Sequence, residues 1–216
     1  MSNVKSRPRR TPVRPAVAPP GRPDAAALRA ARNKRVPDVI APRLEILFVG
    51  INPGLYSGAT GHHFARPGNR FWPALAAAGI TPRRLSPGEG RELLKHGLGI
   101  TNIVNRTTAS AAELSEKEMI AGGRRLRAKL RRYRPRLVAV LGVQAYAAAC
   151  DHKRVKIGPQ AEPLAGCALW VLPNPSGLNA NYQLKDFARL FRRLRAALSG
   201  GKARSSRPSS ARRRSA

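Results

Sequence analysis

Four short stretches, residues 45–50 ("EILFVG"), 98–104 ("LGITNIV"), 136–141 ("RLVAVL") and 168–172 ("ALWVL"), are apolar almost throughout. Runs this short read as strands, and near-continuous apolar strands are buried on both faces, as in a parallel sheet covered by helices. Helix start signals fall between them. Ser86-Pro87-Gly88-Glu89 combines an N-cap serine, a proline at the first helical position and a glutamate three residues on. Ser115-Glu116-Lys117-Glu118 repeats the capping box and opens a helix expected to reach about Arg134. Near the end of the chain Leu184, Phe187, Ala188, Phe191, Leu194 and Leu198 recur at three- and four-residue steps, with Lys185, Arg189, Arg192 and Arg193 on the other side. Alternating strands and helices predict a three-layer α/β/α sandwich with a mostly parallel central sheet of four to five strands.

The chain has 216 residues, and residues 43–198 are enough for one domain with its own core. Residues 1–42 hold eight prolines among many Arg and Ala, and read as a disordered, Pro/Arg-rich basic arm with room for a short helix over 24–34. Residues 199–216, "SGGKARSSRPSSARRRSA", read as a second disordered basic tail. Lys and Arg number 41 against 11 acidic residues, a net charge of +30. Residues 1–40 carry ten basic and two acidic side chains and residues 199–216 six basic and none acidic, so +16 remains on residues 41–198. Such a field suits a polyanion, most simply nucleic acid. General arginine richness of the genome is the bland alternative, and it does not explain why acids are scarce.

Cys150 and Cys167 occur without a C-x-x-C pair or histidines at ligand spacing. They predict two buried reduced thiols rather than a disulfide framework or a zinc site. No metal and no cofactor is expected. With no apolar run of membrane-spanning length and no apolar h-region behind the basic N-terminus, a soluble cytoplasmic, nucleoid-associated monomer without a membrane partner is expected.

Two segments resist a purely structural reading. In "FVGINPGLY" polar Asn52 follows a buried strand and precedes Pro53, which lacks an N–H, and Gly54. Asn52 is thereby pinned at the carboxyl end of a strand, where open α/β sheets bind ligands. The long loop that follows, "GLYSGATGHHFARPGNRFW", holds Phe64 off any helical stripe, so it either plugs the core or stacks on a flat ligand. The second segment, "PNPSGLNANY", follows the strand at 168–172 and carries Leu178 on a glycine-flanked tip, as a wedge for a base stack would be carried.

Together, "GINPGLYSGATGHHFARPGNRFWPALAAAGI" and "LPNPSGLNA", with "AGGRRL" and "LGVQAY" between them, resemble the mismatch-specific uracil/thymine DNA glycosylase family of the uracil-DNA glycosylase superfamily. The resemblance spans residues 43–198. It implies that Asn52 positions the attacking water and that Phe64 stacks on the flipped base. Backbone amides near Ile51 and Phe64 would hold the base edge, and Ser57 would lie near a thymine methyl. His62 and His63 flank the pocket loop, either as exposed imidazoles or, for His63 in particular, to polarise the base. Asn174, Ser176, Gly177, Leu178 and Asn179 would form the DNA wedge and its phosphate contacts. The family's long residue after this wedge is Ala180 here, so no side-chain plug is expected from that position.

The implied function is a monofunctional repair glycosylase acting on double-stranded DNA. It would flip a mispaired or damaged base (uracil, with thymine or ethenocytosine opposite guanine as further substrates) and hydrolyse its N-glycosidic bond. No lysine stands at Asn52 for a Schiff base. A zinc deaminase needs H-x-E and P-C-x-x-C, an iron–sulfur glycosylase needs about four cysteines, and a dinucleotide binder needs G-x-G-x-x-G; none is present. The rival class is a non-catalytic basic nucleic-acid-binding protein.

Overall fold

The computed structural model describes residues 21–150 and 155–205. Five strands form one sheet in the order β2-β1-β3-β5-β4: β1 Ile46–Gly50, β2 Leu98–Asn102, β3 Leu137–Leu141, β4 Gly158–Pro159 and β5 Ala168–Leu172. Every pairing is parallel except the short β4 on β5. The register aligns Phe48 with both Ile100 and Ala139, so each pleat layer meets like residues across the sheet.

Alternation along the strands feeds two cores. Ile46, Phe48, Ile100, Ala139, Leu141, Trp170 and Leu172 face α3 (Phe71–Ala77) and α6 (Leu184–Ser205), against Phe71, Leu75, Phe187, Phe191 and Leu194. Leu47, Val49, Val138, Val140, Leu169 and Val171 face α4 (Glu116–Tyr133) and α5 (Val143–Cys150), against Met119, Leu126, Leu130, Tyr146 and Ala149. This is the predicted α/β/α sandwich. Burying side chains of this size stabilises the fold by about 1.5–3 kcal/mol each. Cys150 and Cys167 are both buried and unpaired, and burial raises both thiol pKa values.

The start signals act as their chemistry requires. Ser115 Oγ accepts the Glu118 N–H while Glu118 reaches back to the Ser115 N–H, and α4 runs to Tyr133. The Ser86 box also forms, but it opens a 3-10 run, Pro87–His96, instead of an α-helix. Leu184 is 41% exposed, so the apolar face of α6 begins at Phe187.

The domain limits and the first loop differ from expectation. Residues 21–42 pack on the domain. Asp24 caps α1 (Ala25–Ala30), Ala31 and Val36 are buried, and Val39 exchanges backbone hydrogen bonds with Ile100 on the edge of β2. At the other end α6 continues through Ser205. What is left of the two expected arms, residues 1–20 and 206–216, lies outside the described residues. The supposed loop after Asn52 contains α2 (Leu55–Thr60), which Gly61 ends in the left-handed conformation (φ 75°).

Candidate functional site

The chain leaves β1 to form β2 on one side and returns through β3 on the other, so the sheet reverses its winding between β1 and β3. Open α/β sheets bind ligands at this switch point, beyond the carboxyl ends of the strands. A cavity of about 900 Å³ lies there. Gly50, Ile51 and Asn52 line it from the end of β1, Asn102 from β2, Leu141 from β3, and Asn174, Ser176, Leu178 and Asn179 from the loop after β5. Ser57, His63 and Phe64 complete the wall. Arg22 and Arg66 also line it, whereas no Asp, Glu or Lys does among the described residues.

Asn52 is held by its amide nitrogen. Nδ2 donates to Thr108 Oγ1 at 2.6 Å, to Arg106 O at 3.1 Å and to Pro53 O at 3.2 Å. The Thr108 hydroxyl hydrogen goes to Ser110 O (2.8 Å), so Thr108 can only accept from Asn52. Both amide hydrogens are thus engaged, and Oδ1, an acceptor, is left for the cavity. Arg106 is fixed in turn by Glu118, whose carboxyl the guanidinium holds down at about 2.

Phe64 resolves its two readings by doing both. One face stacks on core Phe71 (centroids 4.2 Å apart, 29° between planes), and the residue also lines the cavity. Its backbone is left-handed (φ 53°), unusual for a bulky residue and a mark of a constrained turn. Among the described residues nothing pairs with its backbone N–H. Gly50 makes room at the cavity floor, where an added Cβ would lie 2.4 Å from Asn102 Oδ1 and 3.4 Å from the Phe64 ring. Ser57 is buried, and its Oγ accepts the Ala65 N–H (3.3 Å). His63 is buried as well, and burial lowers its pKa below the ordinary imidazole value. His62 does not line the cavity and lies towards Gly88.

The loop after β5 is braced by its own polar side chains. Asn174 Oδ1 accepts the Ser176 N–H, Ser176 Oγ accepts the Leu178 N–H, and Asn179 Nδ2 donates to Asn174 O. Leu178, at the tip, is 75% exposed. Gly177 does not line the cavity; it is where this loop meets the first, since a Cβ there would sit 2.8 Å from Gly68 O. Arg70 fastens the same junction, donating to Ser176 O (2.8 Å) and Asn179 O (3.2 Å) while its backbone N–H goes to Pro175 O. Ala180, next to the tip, is exposed.

Four participants escape the sequence reading: Asn102, Thr108, Arg106 and Arg70. Asn102 had a signal, since it is a polar residue ending a buried strand, as Asn52 follows one. Thr108 and the Arg106 carbonyl lie 54–56 residues from Asn52 along the chain, and only the fold brings them there. Among the described residues no group of three His, Cys, Asp or Glu side chains could hold a metal ion, and no helix is long and apolar enough to cross a membrane.

Fold and site together define a doubly wound α/β protein with a nucleotide-sized cavity at the switch point, a cationic rim and an apolar prong beside it. Residues 37–198 match the model of the uracil DNA glycosylase superfamily. The chain belongs to that superfamily, a family of DNA N-glycosylases. A solution NMR structure described as a "putative Uracil DNA glycosylase" from Methanosarcina acetivorans shares the fold: TM-score 0.53, 19% identity, covering 76% of this chain and 98% of that one.

Proposed function

We propose that this protein is a monofunctional glycosylase that flips uracil, mispaired with guanine, out of duplex DNA and hydrolyses its N-glycosidic bond. Thymine or ethenocytosine opposite guanine are further substrates to be tested. The observation that carries this reading is the orientation of Asn52, whose amide hydrogens are both spent on Thr108 and backbone carbonyls so that Oδ1 faces a cavity walled by Phe64.

The flipped pyrimidine lies on Phe64, and Leu178 occupies the gap it leaves in the stack. Flipping costs a few kcal/mol, and least at a mispair. As the bond from the sugar to the base breaks, its electron pair leaves with the base, and the sugar becomes oxocarbenium-like. The Phe64 N–H and the Asn102 amide stabilise the negative charge that develops on the base oxygens. Asn52 Oδ1 accepts a hydrogen bond from water and aims its oxygen at the sugar carbon; the water's proton passes to solvent or to the departing base. An amide oxygen is a poor base, and no carboxylate lines the cavity to replace it. The enzyme therefore depends on the leaving group and turns over slowly. With no lysine on the cavity wall, hydrolysis is favoured over Schiff-base lyase chemistry.

Phe64→Ala should weaken capture of the flipped base by roughly 1–3 kcal/mol through lost stacking. Titration with a duplex carrying an uncleavable uracil nucleotide reads this directly. Unchanged affinity together with a much lower melting temperature would assign Phe64 to the core alone.

Leu178→Ala should act selectively, because the prong is useful only once the base has left the stack. Cleavage of uracil paired with adenine should slow most, and cleavage in single strands least. A panel of duplexes and single strands under single-turnover conditions tests the reading. Equal slowing of every substrate would remove the wedge from it, and no base released from any of them would leave a non-catalytic DNA binder.

A further inference from the structure

A buried chain of hydrogen bonds runs from the N-terminal segment to the cavity floor. Residues 37–39 are laid along the edge of β2. Val39 and Ile100 exchange backbone hydrogen bonds (2.9 and 2.7 Å), and Asp38 bonds Thr101 Oγ1 (2.8 Å) and pairs with Lys129 of α4. This fixes the Pro37 carbonyl, which lies 2.9 Å from His63 Nε2. A carbonyl oxygen only accepts, so Nε2 must carry a hydrogen. In the neutral ring, Nδ1 is then the acceptor. Nδ1 stands 3.4 Å from the Asn102 side-chain nitrogen, and both residues are buried, at 5% and 4% exposure. Trp72 Nε1 holds the His63 carbonyl at 3.1 Å, so the histidine is anchored from its backbone as well.

The consequence falls on Asn102. One hydrogen of its amide is committed to His63, and its Oδ1 lies against Gly50, where no Cβ obstructs it. A flipped amide would set Oδ1 against the Nδ1 lone pair, two acceptors face to face in a buried site. Asn102 therefore offers the cavity an acceptor and a donor in one fixed order. Uracil presents a donor at N3 beside an acceptor at position 4, and cytosine presents the reverse. We infer that His63 is a positioning residue that locks the Asn102 amide, so that the pocket admits the uracil edge and rejects the cytosine edge. The inference rests on the reading of the cavity as a uracil pocket, and it assigns to residues 37–39, through Pro37, a share in base selection.

The ring's tautomer is read from a long-range hydrogen–nitrogen NMR correlation on the intact protein. A neutral ring protonated on Nε2 is expected, and a ring protonated on Nδ1 overturns the lock whatever the variants do. Selection is read by titrating duplexes that hold uncleavable deoxyuridine or deoxycytidine analogues opposite an abasic site, where neither base is paired. Wild type should prefer the uracil duplex. His63→Gln keeps a donor for Pro37 but removes the acceptor for Asn102, and should shrink that preference roughly 5- to 100-fold, the range expected when a buried polar group loses its partner. His63→Asn, whose Oδ1 stands in for Nδ1, should retain most of it. A folded His63→Gln protein with undiminished preference would overturn the proposal; continued release of uracil by that variant would leave the glycosylase reading standing. A wild type that releases no uracil would sink that reading instead, and the tautomer would still decide the lock.

Discussion

Asn52→Ala should lower the single-turnover rate of uracil release by on the order of 10²–10⁴ while leaving duplex affinity almost unchanged. The asymmetry follows from where the side chain acts. Its nitrogen is spent on Thr108, Arg106 and Pro53 inside the protein. Only Oδ1 faces the reaction, and it helps only when water meets the cationic sugar. Removing it costs transition-state stabilisation and little ground-state binding. Activity within threefold of wild type would place water activation elsewhere. A parallel loss of affinity would mean that Asn52 holds DNA rather than water.

Gly123→Ala should lower the melting temperature by on the order of 5–10 °C, an effect on stability without any contact with substrate. A Cβ at this position would lie 2.0 Å from the backbone oxygen of Ala149, and one at neighbouring Gly122 2.6 Å from Ile103 O. Backbone cannot swing aside as a side chain can, so α4 and α5 must separate. The motif "AGGRRL" is thus a packing device: two glycines let α4 approach α5 on one side and the segment after β2 on the other. Differential scanning calorimetry reads the shift, and a melting point within a degree of wild type would show that α4 and α5 do not approach this closely. Any loss of activity should track the unfolded fraction.

What was legible in the sequence was whatever one segment decides alone. The strands at residues 46–50, 137–141 and 168–172 announce themselves because parallel strands are apolar on both faces. The Ser115 box fixes where α4 starts because its partners are three residues apart. Asn52 and Leu178 stood out as residues of the wrong polarity for their places, one polar at the end of a buried strand and one apolar at an exposed tip. What stayed hidden depends on contacts between distant segments. Residues 21–42 look like a disordered arm by composition, yet Val36 and Ala31 find burial and Val39 finds a strand edge. The helix α2 is six residues long with little amphipathic pattern, and it is set by Gly54 and Gly61 at its ends. Asn102 was overlooked because Ile103 and Val104 prolong the apolar run past it. His63 could not be assigned because its role depends on Pro37, 26 residues upstream.

The central claim is that the cavity at the switch point breaks a glycosidic bond. The most direct measurement incubates excess wild-type protein with a duplex carrying one uracil opposite guanine, then quantifies free uracil and abasic sites together by mass spectrometry. One free uracil and one alkali-labile abasic site should form per duplex, with the phosphodiester backbone intact until alkali is added. A duplex that is fully bound but keeps its uracil would contradict the account and leave a DNA-binding protein without catalysis.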